Sequence, residues 1–337
     1  MKLWKSNTAW ILLALILLVV VVGVVYEMMG RSLAAREFPP PGKLVDIGGR
    51  HMQIDCRGSG SPTVVFESGL DIYGSLSWSR VHDAMAKTTR ACAYSRAGIM
   101  WSDASTVPQN AKTIAEDLHA TLNKAGEQGP FVLVGHSLGG PYIMTYTKYF
   151  GADVVGLVFV DASHPDQERR LDAVAKITES KLMAFRDQVG VRLNWTGVVR
   201  AVAAAYEKMP NEPEAGVLAM KAYAATSFGP MLKESQAAHQ TFVEAGTFRE
   251  LGNRPIAVLT AMAPLPEQMR ENLKWSSAQA QAFQEAWKLM QDDMATWSSQ
   301  SQHQLIADAG HYLQFDRPEV VIAAVQSVVA AVRAQRE

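Results

Sequence analysis

The chain has 337 residues, 48% of them hydrophobic, which is enough to bury a core of normal size in one domain with appendages. Its 32 basic and 33 acidic side chains nearly cancel to a formal charge of −1, so neither a nucleic-acid partner nor a strongly anionic one is expected. It has no P-loop, dinucleotide fingerprint or Cys/His zinc spacing, and no cofactor or metal is expected.

Residues 6–26, between Lys5 and Glu27, are uncharged and dominated by Trp10-Ile11-Leu12-Leu13 and Leu17-Leu18-Val19-Val20-Val21-Val22. As a helix, at about 1.5 Å per residue, this run reaches about 30 Å, the thickness of the hydrocarbon core. A cleaved signal has a shorter apolar region of about 7–15 residues with a small-residue site behind it. Here Ala34-Ala35 lies beyond the charged Glu27 and Arg31. The expectation is a tail over 1–8, a single-pass anchor in the cell membrane over 9–29, and a linker over 30–42 stiffened by Pro39-Pro40-Pro41. Lys2 and Lys5 favour a cytoplasmic N-terminus and an extracytoplasmic remainder, an asymmetry that Arg31 and Arg36 blunt.

Segments 44–47 and 51–56 suggest an antiparallel pair turned at Gly48-Gly49, and 58–62 the next turn. The strand Thr63-Val64-Val65-Phe66 runs into Glu67-Ser68-Gly69-Leu70, and a strand over 90–94 into Ser95-Arg96-Ala97-Gly98. An amphipathic helix is expected over 113–125. The apolar run Phe131-Val132-Leu133-Val134 then enters Gly135-His136-Ser137-Leu138-Gly139-Gly140 without a break. A buried strand followed by Gly-x-Ser-x-Gly describes a nucleophile elbow, a turn so tight that the flanking residues must be tiny. Segment 156–160 is a further strand, leading directly into Asp161-Ala162-Ser163-His164-Pro165.

From 165 to 251 the pattern is helical without strands. Leu171, Val174 and Ile177, then Leu182, Phe185 and Val189, recur at helical spacing, and further helices are expected over 195–209 and 230–246. Met183, Met209, Met220 and Met231 either line an adaptable apolar pocket or fill this region's own core. A strand over 256–260 is followed by no carboxylate until Glu267. The short strand 303–307 leads to Asp308-Ala309-Gly310-His311, and an Ala/Val-rich helix over 319–335 closes the chain.

From about Lys43 to the end these motifs resemble an α/β-hydrolase-fold serine hydrolase of esterase or lipase type. The resemblance implies an α/β fold with a mostly parallel sheet flanked by helices, a core over 43–164 and 251–337, and a helical cap over 165–250. The triad of this fold runs serine, acid, histidine, which implies Ser137 as nucleophile and His311 as general base. The acid is Asp161, where some haloalkane dehalogenases and lipases place theirs, or else Glu267 after the seventh strand, or a residue that no motif marks. If Glu267 is the acid, Asp161 is a structural cap. By carry-over, the backbone amides of Leu70 and Leu138 form the oxyanion hole. Ser68 stands where a histidine is usual, as in a subgroup with Glu-Ser-Gly, and Ser95 replaces the aspartate of a Tyr-Asp-Arg-x-Gly turn. His136 is expected to pack beneath the elbow and His164 to be structural. Because the second and fourth strands of this fold are neighbours, Cys56 and Cys92 are either a disulfide or two buried thiols.

The implied activity is cleavage of an ester or related acyl bond in a small, apolar acyl substrate through an acyl-enzyme. A peptidase or cofactor-free perhydrolase uses the same triad, and a non-catalytic ligand-binding protein would keep the same fold. A serine nucleophile argues against dehalogenase or epoxide hydrolase chemistry, which this fold performs with aspartate.

Overall fold

The computed structural model describes residues 2–174 and 181–335. Its strands are β1 (Lys43–Asp46), β2 (His51–Arg57), β3 (Thr63–Glu67), β4 (Ala91–Tyr94), β5 (Phe131–His136), β6 (Val154–Val160), β7 (Ile256–Ala261) and β8 (Ser301–Ile306). They form one sheet in the order β1-β2-β4-β3-β5-β6-β7-β8. Only β2 runs against its neighbours β1 and β4; the other pairings are parallel.

Helix α1 (Lys2–Glu37) precedes the sheet, and α2 (His82–Ala86), α3 (Ala111–Ala125) and α4 (Gly139–Phe150) connect its first strands. Between β6 and β7 the described residues hold only helices: α5 (Gln167–Asp172), α6 (Lys181–Arg192), α7 (Val198–Ala204), α8 (Glu214–Gln236) and α9 (Ala238–Ala245). Next come α10 (Glu267–Leu273) and α11 (Ser277–Ala295) ahead of β8, then α12 (Leu313–Asp316) and α13 (Pro318–Ala334).

Both faces of the sheet are buried, which is why the central strands read as continuous apolar runs. Successive side chains still alternate between two cores. Val65, Leu133, Leu157 and Phe159 join Leu118 and Leu122 of α3 and Met144 of α4 on one face. Val64, Phe66, Val132, Val134, Val158 and Val160 meet Trp78, Met85 and the valines of α13 on the other. Register places Cys56 of β2 opposite Cys92 of β4, and the two are joined as a disulfide.

Three stretches depart from the sequence expectation. Helix α1 does not stop at the apolar run: it continues through Ser32-Leu33-Ala34-Ala35-Arg36, good helix formers with no breaker until Pro39. Only the last part of the expected linker is therefore extended. The helix expected over 195–209 is interrupted at Gly197, whose φ of 76° is left-handed, and α7 ends at Ala204. The helix expected to begin at Pro230 begins at Glu214, with Pro230 in its interior, and Ala237 separates α8 from α9. Of the apolar spacing in the cap, Leu171 is buried, Phe185 is 67% exposed, and Ile177 lies outside the described residues.

Candidate active site

The turn between β5 and α4 puts Ser137 in a left-handed backbone conformation, φ 51°, which L side chains rarely adopt. Such strain persists only where the surroundings over-determine it, and here the packing does so. A Cβ on Gly135 would lie 2.6 Å from the Gly139 carbonyl oxygen, and one on Gly139 the same distance from the Glu67 carbonyl. A Cβ on Gly140 would meet the Cβ of Ala162 at 2.6 Å. The elbow is also stitched to the loop after β6: the Ser137 amide donates to the Val160 carbonyl, and the Ser163 amide donates to the Ser137 carbonyl at 2.8 Å.

That loop carries Asp161, again left-handed with φ 42°. Its buried carboxylate is fully engaged. Oδ2 lies 2.6 Å from Nδ1 of His311, while Oδ1 accepts from the Ala261 amide (3.0 Å) and from Nε1 of Trp287 (2.8 Å). With Nδ1–H donating to the carboxylate, Nε2 is left as the lone-pair nitrogen of a neutral His311. The other candidate acid, Glu267, sits in the first turn of α10 with its side chain 79% exposed, facing Arg270 at 3.8 Å. The structure thus brings Asp161, and not Glu267, to His311.

His136, beneath the elbow, is buried, and its Nε2 lies 2.9 Å from the His311 carbonyl oxygen. Burial drives its pKa well below the usual imidazole value, so the ring is neutral and its Nε2–H donates to that carbonyl, fixing the backbone that presents His311. His164 is likewise buried, with Nδ1 accepting from the Asp166 amide and Nε2 lying 3.2 Å from Asp293. Burial lowers its pKa to about 4. Arg170 and Arg249 already neutralise Asp166 and Asp293, so this cluster reads as a salt-bridge network more readily than as a metal site.

The Leu70 and Leu138 amides have no hydrogen-bond partner among the described residues, and the two side chains share one apolar cluster with Tyr142 and Phe242. Gly69 is pressed against the elbow: a Cβ there would lie 2.9 Å from Ser137 Cβ and from His136 Nδ1. What holds this loop in place is Arg96. It donates to the Ser68 carbonyl (2.7 Å), the Gly69 carbonyl (2.6 Å), Glu67 Oε1 (2.7 Å) and, through two nitrogens, Glu234 (2.8 and 3.0 Å). All five N–H donors of the guanidinium are used. Glu67, Arg96 and Glu234 are all buried. Burial pushes Glu67 up to about 7 against the opposing pull of Arg96, and Tyr94 donates to its carboxylate. Ser95, in place of the usual aspartate, donates to Gln53 Oε1 at 2.7 Å.

Sequence reasoning missed Trp287 and Glu234. Neither belongs to a motif; one lies on a helix that nothing in the sequence tied to the site, the other on a cap helix 138 residues from Arg96.

The sequence profile of the alpha/beta hydrolase family matches residues 52–324. The chain belongs to that family. Among curated relatives, the chain is 27% identical to the uncharacterized protein YbdG of Bacillus subtilis over 157 residues, 46% of this chain and 48% of that one. It spans no more than about half the length of the curated relatives it matches. Among solved structures it resembles a thermophilic esterase from Thermogutta terrifontis, with a TM-score of 0.60 and 18% identity over 84% of this chain and 94% of that one. It also resembles a loop variant of a haloalkane dehalogenase from Bradyrhizobium elkanii, with a TM-score of 0.62 and 18% identity over 88% and 99%. At these identities the structural likeness establishes the shared fold.

Proposed function

We propose that this hydrolase cleaves an ester or related acyl bond through a Ser137–His311–Asp161 triad. The observation that carries the reading is the 2.6 Å contact between Asp161 and His311 Nδ1, beside a serine held in the left-handed elbow. In the mechanism, His311 Nε2 takes the hydroxyl proton of Ser137 as Oγ attacks the acyl carbonyl. Asp161 holds the imidazole in the required tautomer and stabilises the imidazolium that forms. The Leu70 and Leu138 amides, on the loop that Arg96 clamps and at the start of α4 respectively, stabilise the oxyanion by about 3 kcal/mol each. His311 then returns the proton to the leaving group, and water, activated by the same imidazole, resolves the acyl-enzyme.

We further read α1 as an uncleaved membrane anchor. Its most apolar window has a mean hydropathy of 3.0, and none of that window is buried against the rest of the protein. The Cys56–Cys92 disulfide supports a catalytic domain on the oxidising side of the membrane, outside the cytoplasm.

The test is hydrolysis of an activated aryl ester by the full chain in detergent. Asp161→Asn should lower kcat by about four orders of magnitude, whereas Glu267→Gln should leave it near the wild-type value. The reverse pattern would move the acid to the strand β7 exit.

A further inference from the structure

Helix α1 is not a free tether. Gly23, Glu27, Gly30 and Ala34 recur at helical spacing on one face, and that face is docked on the cap. Gly23 leaves room for the Thr196 carbonyl, and a side chain there would collide with it. Gly197 in turn lies against the Gly23 carbonyl and Tyr26: a Cβ on it would meet both at 2.9 Å. Glu27, buried, is paired with Arg200 of α7 at 2.8 Å and with Arg31 at 2.7 Å, and Arg200 also donates to the Ala222 carbonyl of α8. Below this joint the Phe38 carbonyl accepts from Trp101 Nε1 and the Tyr223 hydroxyl. The helix and the cap therefore meet at a fixed height along α1.

That height decides what the neighbouring cap surface faces. Gly23 lies inside the uncharged run 6–26, four residues before Glu27, or about 6 Å into it along the helix axis. Thr196 and Gly197 are seated at the level of Gly23–Glu27 and Arg200 at Glu27–Gly30, so this stretch of the cap is held where the hydrocarbon run ends. Their composition fits. From Leu193 to Tyr206 the one formally charged residue is Arg200, and it is buried against Glu27. The surface beside it is apolar: Leu193, Trp195 and Val198 are exposed and Val202 is 70% exposed. A cap helix facing bulk water would carry its charges on the outer side; α7 carries none there. A tryptophan beside apolar side chains at the end of a span is the composition of a membrane interface, into which apolar helix faces insert by about 5–10 Å.

We infer that the cap face formed by Leu193, Trp195, Val198 and Val202 is a membrane-interface surface, seated in the lipid leaflet that the C-terminal end of α1 crosses. Its occupant is the headgroup–acyl boundary of the bilayer, and the inference rests on reading α1 as the membrane anchor. The docked joint holds the cap on the leaflet, a position from which acyl compounds partitioned into lipid are reached without leaving the membrane.

The experiment uses the full chain in phosphatidylcholine vesicles. Cys56 and Cys92 are the only cysteines and are bonded to each other, so a single new cysteine can be labelled selectively with an environment-sensitive fluorophore. Val19→Cys reports on the middle of α1, Val202→Cys and Leu193→Cys on the cap face, and Gln302→Cys, on β8, serves as the exposed control. Lipids with a nitroxide deep in the chain should quench the Val19 label, lipids with a nitroxide near the headgroup should quench the Val202 and Leu193 labels, and Gln302 should respond to neither. A quenched Val19 label with Val202 and Leu193 as insensitive as Gln302 would overturn the inference and leave the anchor intact. A blue-shifted Val202 label that no lipid nitroxide quenches would also overturn it, by showing that protein covers the face. An unquenched Val19 label would remove the anchor itself, and the inference with it.

Discussion

Replacing Arg96 with leucine tests whether the loop carrying the Leu70 amide is held by charge. The substitution removes six hydrogen bonds: three to the Ser68 carbonyl, the Ser68 hydroxyl and the Gly69 carbonyl, one to Glu67 and two to Glu234. Glu67 and Glu234, 1% and 0% exposed at the side chain, would be left without a counter-ion. Removing one partner of a buried pair costs about 3–5 kcal/mol. Part of that is recovered if Glu67, already near neutrality at about 7, takes up a proton. At roughly 2–4 °C per kcal/mol for a domain of this size, Tm should fall on the order of 10 °C. Because the Gly69 carbonyl is released, kcat should fall in the protein that remains folded, whereas KM should move little. Arg96→Lys supplies the charge without the planar fork and should recover stability more than kcat. Differential scanning calorimetry and ester kinetics well below the transition give both readouts. An Arg96→Leu protein with wild-type Tm and kcat would refute the clamp.

Glu67 and a second buried carboxylate, Asp71, which accepts from the Tyr73 amide and the Ser77 hydroxyl, set a pH dependence. Glu67 and Asp71 are pushed up by burial to about 7 and about 6, so the folded chain holds protons that the unfolded chain releases. Their contribution to stability is greatest below the unfolded values and is lost as pH rises through about 6–7; Glu67→Gln should flatten the decline in Tm over that range, and an unchanged slope would count against it. Trp287→Phe removes the indole donor from Asp161 Oδ1, a bond to a charged acceptor worth about 1.5–3 kcal/mol, so kcat should drop about 10- to 100-fold with the fold retained by circular dichroism. An unaltered kcat would show that the indole does not help hold Asp161 for catalysis. The Cys56–Cys92 bridge spans a sequence separation of 36, and in the chain-entropy account its loss costs about 4 kcal/mol. The denatured, unreduced protein should titrate no free thiol, and two free thiols would contradict the bridge.

The parts of this fold legible in the sequence are those fixed by local stereochemistry. A serine forced to positive φ between a strand and a helix needs Gly135, Gly139 and Gly140 around it, and that steric demand is written within six residues. The alternation of Val64, Val65 and Phe66 or of Val132, Leu133 and Val134 between two buried faces is equally local. Pairing across the sheet was legible only through the resemblance, which made the strands of Cys56 and Cys92 neighbours. Contacts over long separations left no local period to read: the fork of Arg96 to Glu234, and Trp287 to Asp161, 126 residues apart. Gly197 could have been read as a helix break, but its reason, the close passage of Gly23, lies on another element. The docking face of α1 was visible as the spacing of Gly23, Glu27, Gly30 and Ala34, yet it was masked by the stronger apolar signal around it.

Whether Ser137 is an activated nucleophile is tested most directly by labelling the chain with a fluorophosphonate, followed by peptide mass mapping. A single phosphonyl adduct should form on Ser137, absent in Ser137→Ala and strongly slowed in His311→Ala, where no imidazole takes the hydroxyl proton. No adduct on the wild-type chain, or an adduct that persists in Ser137→Ala, would contradict that role for Ser137.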